Sequence, residues 1–373
     1  LAAFGVTDRF VHGLLAPRLR AGLDGADGSR RAIDVSLHDA ASSPGKAREL
    51  AESLVAAGVQ MIVATATPEI CNPVADTCEA AKVPCLSTIV PWQAWYFARG
   101  GSATRRFDWT YHFFCGLEDF ADVYSALMAR ASLGQKVGGL FGDDIDADAF
   151  LGALPAAFRR RGLDLQVPVR PRLAQPDWID VATRFRDARI DMVTGVLPPP
   201  QATDFLAAAR TIGYTPRMAS IAKAFPFPET VQAVHRPGLT LTNEVWWSPA
   251  WPFSSALTGM RAPDLAKAYE DGTGRQWVQT LGFSHALLDV VAQACRTART
   301  SDRAGLRESL ARVRVNTVTG PISFLDPHPN RNVCTTPAVG GQWMRDAAGR
   351  WVLQVVDNSR SPFIPKTAEL TIA

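Results

Sequence analysis

Short apolar runs and amphipathic stretches alternate along most of the chain, and the alternation predicts strands and helices in turn. Residues 61–66 are a mostly apolar run suited to a strand buried on both faces, and residues 84–87 are a second one. Between them Cys71, Val74, Ala75, Cys78 and Ala81 recur at spacings of three and four. They make one apolar face of a helix that begins near Pro68. Strand, helix and strand together form a unit of a parallel sheet. Before it, residues 33–37 read as a strand and 44–57 as a helix that stops at Gly58.

A second series follows Gly116. Helices are expected over 119–132, 148–161, 178–188 and 201–212, and strands over 137–141, 165–169, 191–197 and 218–222. Gly162 and Gly213 stop two of the helices, and Pro198, Pro199 and Pro200 break the chain before another. Two βα series divided near residues 114–117 predict two α/β lobes. The last third adds a strand-like run over 239–247, helices over 264–270, 277–298 and 303–313, and a hairpin over 340–356 turning at 346–349. Late helices need a sheet to cover, so the chain is expected to return to the first lobe and then to the second. Several crossovers make a hinge, and a hinge between two lobes makes a closing cleft.

In open parallel sheets a ligand binds beyond the carboxyl ends of the strands, which places Thr65, Thr67, Ser87 and Thr88 where a small polar molecule would sit. A helix amino terminus after Thr67 adds free N–H groups and partial positive charge, the makings of an anion pocket. The aromatic residues of 92–114, Trp92 first among them, either line a cleft or pack a long loop. His112 stands in the segment that crosses between lobes, as a ligand contact or as scaffold. Trp246 and Trp247 face opposite ways in a strand, so at most one enters a cleft. His285, on a long apolar helix, reads as structural.

Composition narrows the function further. At 373 residues the chain has room for two cores, and 39 Lys plus Arg against 36 Asp plus Glu do not predict nucleic acid binding. The run Arg159, Arg160, Arg161 reads as a solvated helix end. No apolar run reaches the roughly 18 residues of a membrane span. The six cysteines show no metal spacing, and Cys71 and Cys78, two turns apart on one helix, cannot pair with each other. They read as small core residues, with disulfides left open. No G-x-S-x-G elbow, Walker A loop, H-E-x-x-H helix or intact G-x-G-x-x-G occurs, so no enzyme, cofactor or metal site is expected.

The succession of segments resembles the periplasmic solute-binding proteins of the branched-chain amino acid type, which serve ABC importers. The matching stretches are LAAFGV, KARELAESLVAAGVQMIVA, KVPCLS, YHFFCGLED, KVGGLFGDD, FLAAARTIGY, NTVTGPISFLD and GQWMRDAAGRWVLQVVDN, in order over essentially the whole chain. The resemblance implies two Rossmann-like α/β lobes with parallel sheets joined by a three-strand hinge, the type I periplasmic-binding fold. Lobe I would comprise 1–115 plus 243–324, lobe II 118–240 plus 328–358, and 359–373 a C-terminal tail. It further implies a monomer in the periplasm or outside the cell, partnered by a membrane permease, with a leader removed and a first strand preceding Leu1. A membrane anchor on the preceding segment is left open, as is a ligand-sensing receptor domain of the same fold.

Binding residues carry over from the family in part. Phe4 matches an aromatic ligand contact, and the turns holding the ligand carboxylate fall at Thr67, Pro68 and Glu69 and at 89–91. Relatives use serine and threonine at several of these places, so Thr65, Thr67, Ser87 and Thr88 would supply the hydroxyls from neighbouring positions. The family's acidic partner for a ligand ammonium falls at 222–224, where this chain has Lys223. An enclosed ammonium needs a carboxylate partner to offset its lost hydration. The exchange therefore predicts a small carboxylate, aromatic or dicarboxylic, in place of a branched-chain amino acid. The alternative has Lys223 facing solvent, with Asp143, Asp144, Asp146 or Glu244 receiving the ammonium.

Overall fold

The computed structural model describes residues 2–25, 27–326 and 328–373, without the side chains of residues 2–4. The chain opens with helix α1 (Ala2–Ala21) and a minimal hairpin of β1 (Leu23–Asp24) and β2 (Arg30–Arg31). Residues 33–37 are not the strand expected from their pattern. The Ile33 N–H bonds to the Leu19 carbonyl at 2.9 Å, and His12 Nε2 donates to the Val35 carbonyl at 2.7 Å. Helix α1 thus takes backbone groups that a neighbouring strand would have used.

Helix α2 (Pro44–Ala56) starts on Ser43, whose side chain accepts the Lys46 N–H, with proline at its first turn. Strand β3 (Ile62–Thr65), helix α3 (Pro68–Ala81) and strand β4 (Cys85–Thr88) follow, and α3 buries Cys71, Val74, Ala75 and Cys78. The aromatic segment after them holds two elements that its composition hid, α4 (Trp92–Tyr96) and β5 (Thr110–Phe113).

The chain then builds α5 (Leu117–Ala131), β6 (Lys136–Phe141), α6 (Ile145–Arg160), β7 (Asp164–Gln166), α7 (Trp178–Asp187), β8 (Met192–Val196), α8 (Pro199–Thr211), β9 (Met218–Ala222), α9 (Pro228–Val234) and β10 (Thr240–Val245). Strand β7 ends short of the expected 169, since Pro168 has no N–H to give a ladder. Helices α10 (Ala262–Thr273), α11 (Thr280–Thr297) and α12 (Arg303–Leu310) come next, then β11 (Arg314–Thr317), β12 (Gly320–Ser323) and β13 (Val333–Cys334). Strands β14 (Val339–Arg345) and β15 (Trp351–Asp357) form the expected final hairpin.

These elements fall into two units, Leu1–Gly116 with Trp247–Pro337, and Leu117–Trp246 with Ala338–Ala373. In unit 1, β13-β5-β4-β3 make a wholly parallel sheet, with Thr65 beside Thr88 and Thr88 beside Phe113. In unit 2 the order is β15-β14-β10-β9-β8-β6-β7, parallel from β10 to β7 and antiparallel through β14 and β15. The later crossings lie at 246/247 and 337/338, past the 240–243 and 324–328 read from sequence. The reason is that β10 continues to Val245 in the second sheet and β13 pairs with β5 in the first.

Residues 359–373 are fastened to unit 2. Gln342 exchanges two hydrogen bonds with the Thr371 backbone, at 2.7 and 3.0 Å, and the Ala373 N–H reaches Thr240 Oγ1. Unit 1 is packed closely around Trp247, whose Nε1 donates to the Val318 carbonyl at 3.1 Å. Gly282 of α11 lies against that indole, and a Cβ there would stand 2.4 Å from the ring. All six cysteines are free thiols, four of them buried.

Candidate ligand-binding site

The carboxyl ends of the unit 1 strands are polar, and their hydroxyls divide into two kinds. Ser87 and Thr88 are fully buried in the sheet, where Thr88 Oγ1 donates to the Phe113 carbonyl at 2.6 Å. Those two hydroxyls are committed to neighbouring strands. Thr65 and Thr67 are placed differently. Thr67 is the N-cap residue of α3 by its backbone yet makes no side-chain capping bond, and Pro68 follows at the first helical position. Among the described residues Thr65 Oγ1 is buried without a hydrogen-bond partner. A buried hydroxyl left so costs about 1–3 kcal/mol unless something else satisfies it. Glu69 stands in the first turn of α3 and offsets the helix's positive end, which tempers the anion pocket expected there.

His112 organises the next turn. Its Nε2 lies 2.7 Å from the Val90 carbonyl and its Nδ1 lies 2.9 Å from Ser87 Oγ. A carbonyl only accepts, so Nε2 carries the proton and Nδ1 accepts from the serine. Burial drives the imidazole's pKa down to about 3, so the ring is neutral. It stacks on Trp95 with centroids 4.9 Å apart. Both ring nitrogens are thereby used by the protein, and they hold a turn in which Ile89 takes a left-handed φ of 68°. A β-branched residue in that region is strained. The turn delivers the half-buried Trp92 to the start of α4, where its ring meets His328 edge-on at 5.0 Å and Phe97 at 5.5 Å. Phe4 lies in the first turns of α1, and its side chain is outside the described residues.

Unit 2 has its own strand-end cluster. Asp144 caps α6 by accepting the Ala147 N–H at 2.8 Å, and Asp146 follows in the first turn. Lys223 comes directly after β9 with a left-handed φ of 65°, the same backbone device as Ile89 after β4. Its Nζ lies 2.5 Å from Asp146 Oδ2 and 3.2 Å from Asp144 Oδ2. Lys223 therefore does not point to solvent, and its charge is already carried by two carboxylates. The lysine's sign alone therefore does not set the charge of the ligand, contrary to the expectation from the sequence.

Glu244, at the end of β10, is buried, and desolvation raises its pKa to about 7. Tyr124 makes a short hydrogen bond to its Oε2, and Trp246 Nε1 donates to Oε1 at 3.4 Å. Trp246 belongs to unit 2 and Trp247 to unit 1, and both are buried. Sequence reasoning missed Tyr124 and His328, which carry no motif and meet their partners only through the fold.

Comparison with known proteins gives a consistent picture. A model described as periplasmic binding protein matches residues 18–344. No curated protein sequence matches the chain. Among solved structures, a solute-binding protein of an ABC transporter from Rhodopseudomonas palustris BisB5, in complex with 3,4-dihydroxy benzoic acid, is similar. It has 17% identity and a TM-score of 0.75 over 97% of this chain and 95% of that one. LivJ, a branched-chain amino acid transporter substrate-binding protein from Streptococcus pneumoniae in complex with isoleucine, has 17% identity and a TM-score of 0.73 over 96% of each chain. The leucine-binding protein LivK from Thermotoga maritima has 16% identity and a TM-score of 0.73 over 96% of this chain and 94% of that one.

Proposed function

The chain belongs to the periplasmic binding protein family, and from that premise we propose that it is the extracytoplasmic substrate-binding component of an ABC importer. The solute is a small carboxylate or an amino-acid-like molecule, and the partner that receives it is the importer's membrane permease. The family match over residues 18–344 carries this reading. It is supported by structural likeness to transport proteins that bind isoleucine, leucine and 3,4-dihydroxy benzoic acid. Among the described residues no helix is long and apolar enough to cross a membrane.

On unit 1 the proposed contacts are Thr65, Thr67 and Trp92, held by the Ser87–His112–Val90 relay and by Thr88. On unit 2 they are Trp246 and the Asp144–Lys223 cluster. Phe4 retains the role that the family resemblance gives it. Capture by hinge closure is part of the proposal. A solute that binds one arrangement of the units more tightly shifts the population toward it, and the permease reads that shift.

Mass spectrometry of small molecules released from gently purified protein tests the reading, followed by a thermal-shift screen of amino acids and of aromatic and aliphatic acids. A true ligand at a hundredfold excess over Kd stabilises the fold by about 2.7 kcal/mol. A protein that releases nothing and is stabilised by no compound of the screen would not be a binder of this solute class.

A further inference from the structure

The reading as a solute-binding protein leaves the solute class open, and the strand-end acids of unit 2 narrow it. Each acid named as a receiver for a ligand ammonium already holds protein donors. Lys223 Nζ bridges Asp146 and Asp144 at 2.5 and 3.2 Å. Asp144 also accepts the Ala147 N–H at 2.8 Å, and Asp143 Oδ1 accepts the Leu173 N–H at 2.9 Å. Glu244 is held by Tyr124 and Trp246.

The excess negative charge of one lysine between two aspartates has its own counterpart. Asp144 is the N-cap and Asp146 lies in the first turn of a 16-residue helix, whose amino end stabilises negative charge. On unit 1, Glu69 stands in the first turn of α3 and is stabilised in the same way.

A dissolved amine seeking Asp144 and Asp146 meets a competitor tethered to the same fold, and an intramolecular group acts at a high effective concentration. An amine that joined the lysine would have to share carboxylates that already serve Lys223 and the Ala147 N–H. Resting on the solute-binding reading, we propose that Lys223 is a built-in cation standing in for the ammonium of an amino acid, and that the solute is an amine-free carboxylate.

The test is titration calorimetry on the full chain with matched pairs, leucine against isocaproate and phenylalanine against hydrocinnamate. In at least one pair the acid binds about tenfold tighter or more than its amino acid, a difference of affinities that defines the specificity. Lys223→Met removes the tethered cation from both aspartates, and it moves that ratio toward the amino acid by about tenfold or more. The wild-type comparison decides the matter if the variant does not fold. Amino acids that bind as tightly as their acids, or more tightly, overturn this inference and leave the solute-binding reading intact. Binding of neither member of any pair, by protein that also releases no small molecule, overturns the solute-binding reading and the inference with it.

Discussion

His112 Nε2, on β5, lies 2.7 Å from the carbonyl oxygen of Val90, two residues past the end of β4. One buried imidazole thus joins the second and third strands of the unit 1 sheet to the turn that positions Trp92. The sheet's hydrogen bonding and the shape of the turn at its carboxyl end become a single structure, and the strain at Ile89 is held by that bond.

Replacing His112 with phenylalanine keeps a ring against Trp95 and leaves the Val90 carbonyl and the Ser87 hydroxyl without their partner. Urea unfolding should show a loss of about 1–3 kcal/mol. Solute affinity should fall as well, because the turn is no longer held. Unchanged affinity in a destabilised variant would confine His112 to the core.

The same histidine sets a pH dependence. Its pKa is about 3 in the folded chain against an ordinary 6.5, so between those values the unfolded chain binds more protons. Its contribution to stability is complete above 6.5 and is lost as pH falls toward 3. Glu244 acts in the opposite direction. Its pKa of about 7 against an ordinary 4.5 means that the folded chain holds the extra proton, and stability falls as pH rises from 4.5 to 7. Glu244→Gln should abolish that second slope, so the variant gains on the wild type as pH rises through this window in denaturation measured at a series of pH values.

Lys223→Met leaves Asp144 and Asp146 without their cation. Breaking a buried ion pair on one side costs about 3–5 kcal/mol, and the partial exposure of Asp144 puts the expected loss at the lower end. Asp146→Asn together with Lys223→Met should recover part of it. If the double variant were no more stable than the single one, the pair would not be the source of the loss.

Gly282→Ala places a Cβ 2.4 Å from the Trp247 indole, with the fixed backbone of α11 behind it. Overpacking of this kind costs about 1–3 kcal/mol, despite alanine's better helix propensity. The Trp fluorescence of the folded state should shift in parallel. A neutral or stabilised variant would mean that the indole moves freely.

Most of the fold was legible because its signals are local. The apolar face of α3, the glycine stops after α2 and α8, and the prolines that start α8 each act within a few residues, so periodicity placed them to within a turn. Residues 33–37 failed for the converse reason, since their alternating pattern is that of a strand while the partner that holds them is a helix. Elements α4 and β5 were hidden inside an aromatic stretch whose pattern is set by neighbours such as Phe107 and Trp95.

The candidate site divides along the same line. The sequence by itself determined that polar residues such as Thr65, Thr67, Ser87, Thr88 and Lys223 lie at strand ends, because a strand's end is a local property. Only the tertiary structure decided which of them are already engaged. It turned Thr88 into the sheet, gave His112 both of its bonds, and brought Lys223 to an aspartate 79 residues away. Such partners are chosen by the lateral order of strands, and that order is set by burying both faces of a sheet at once.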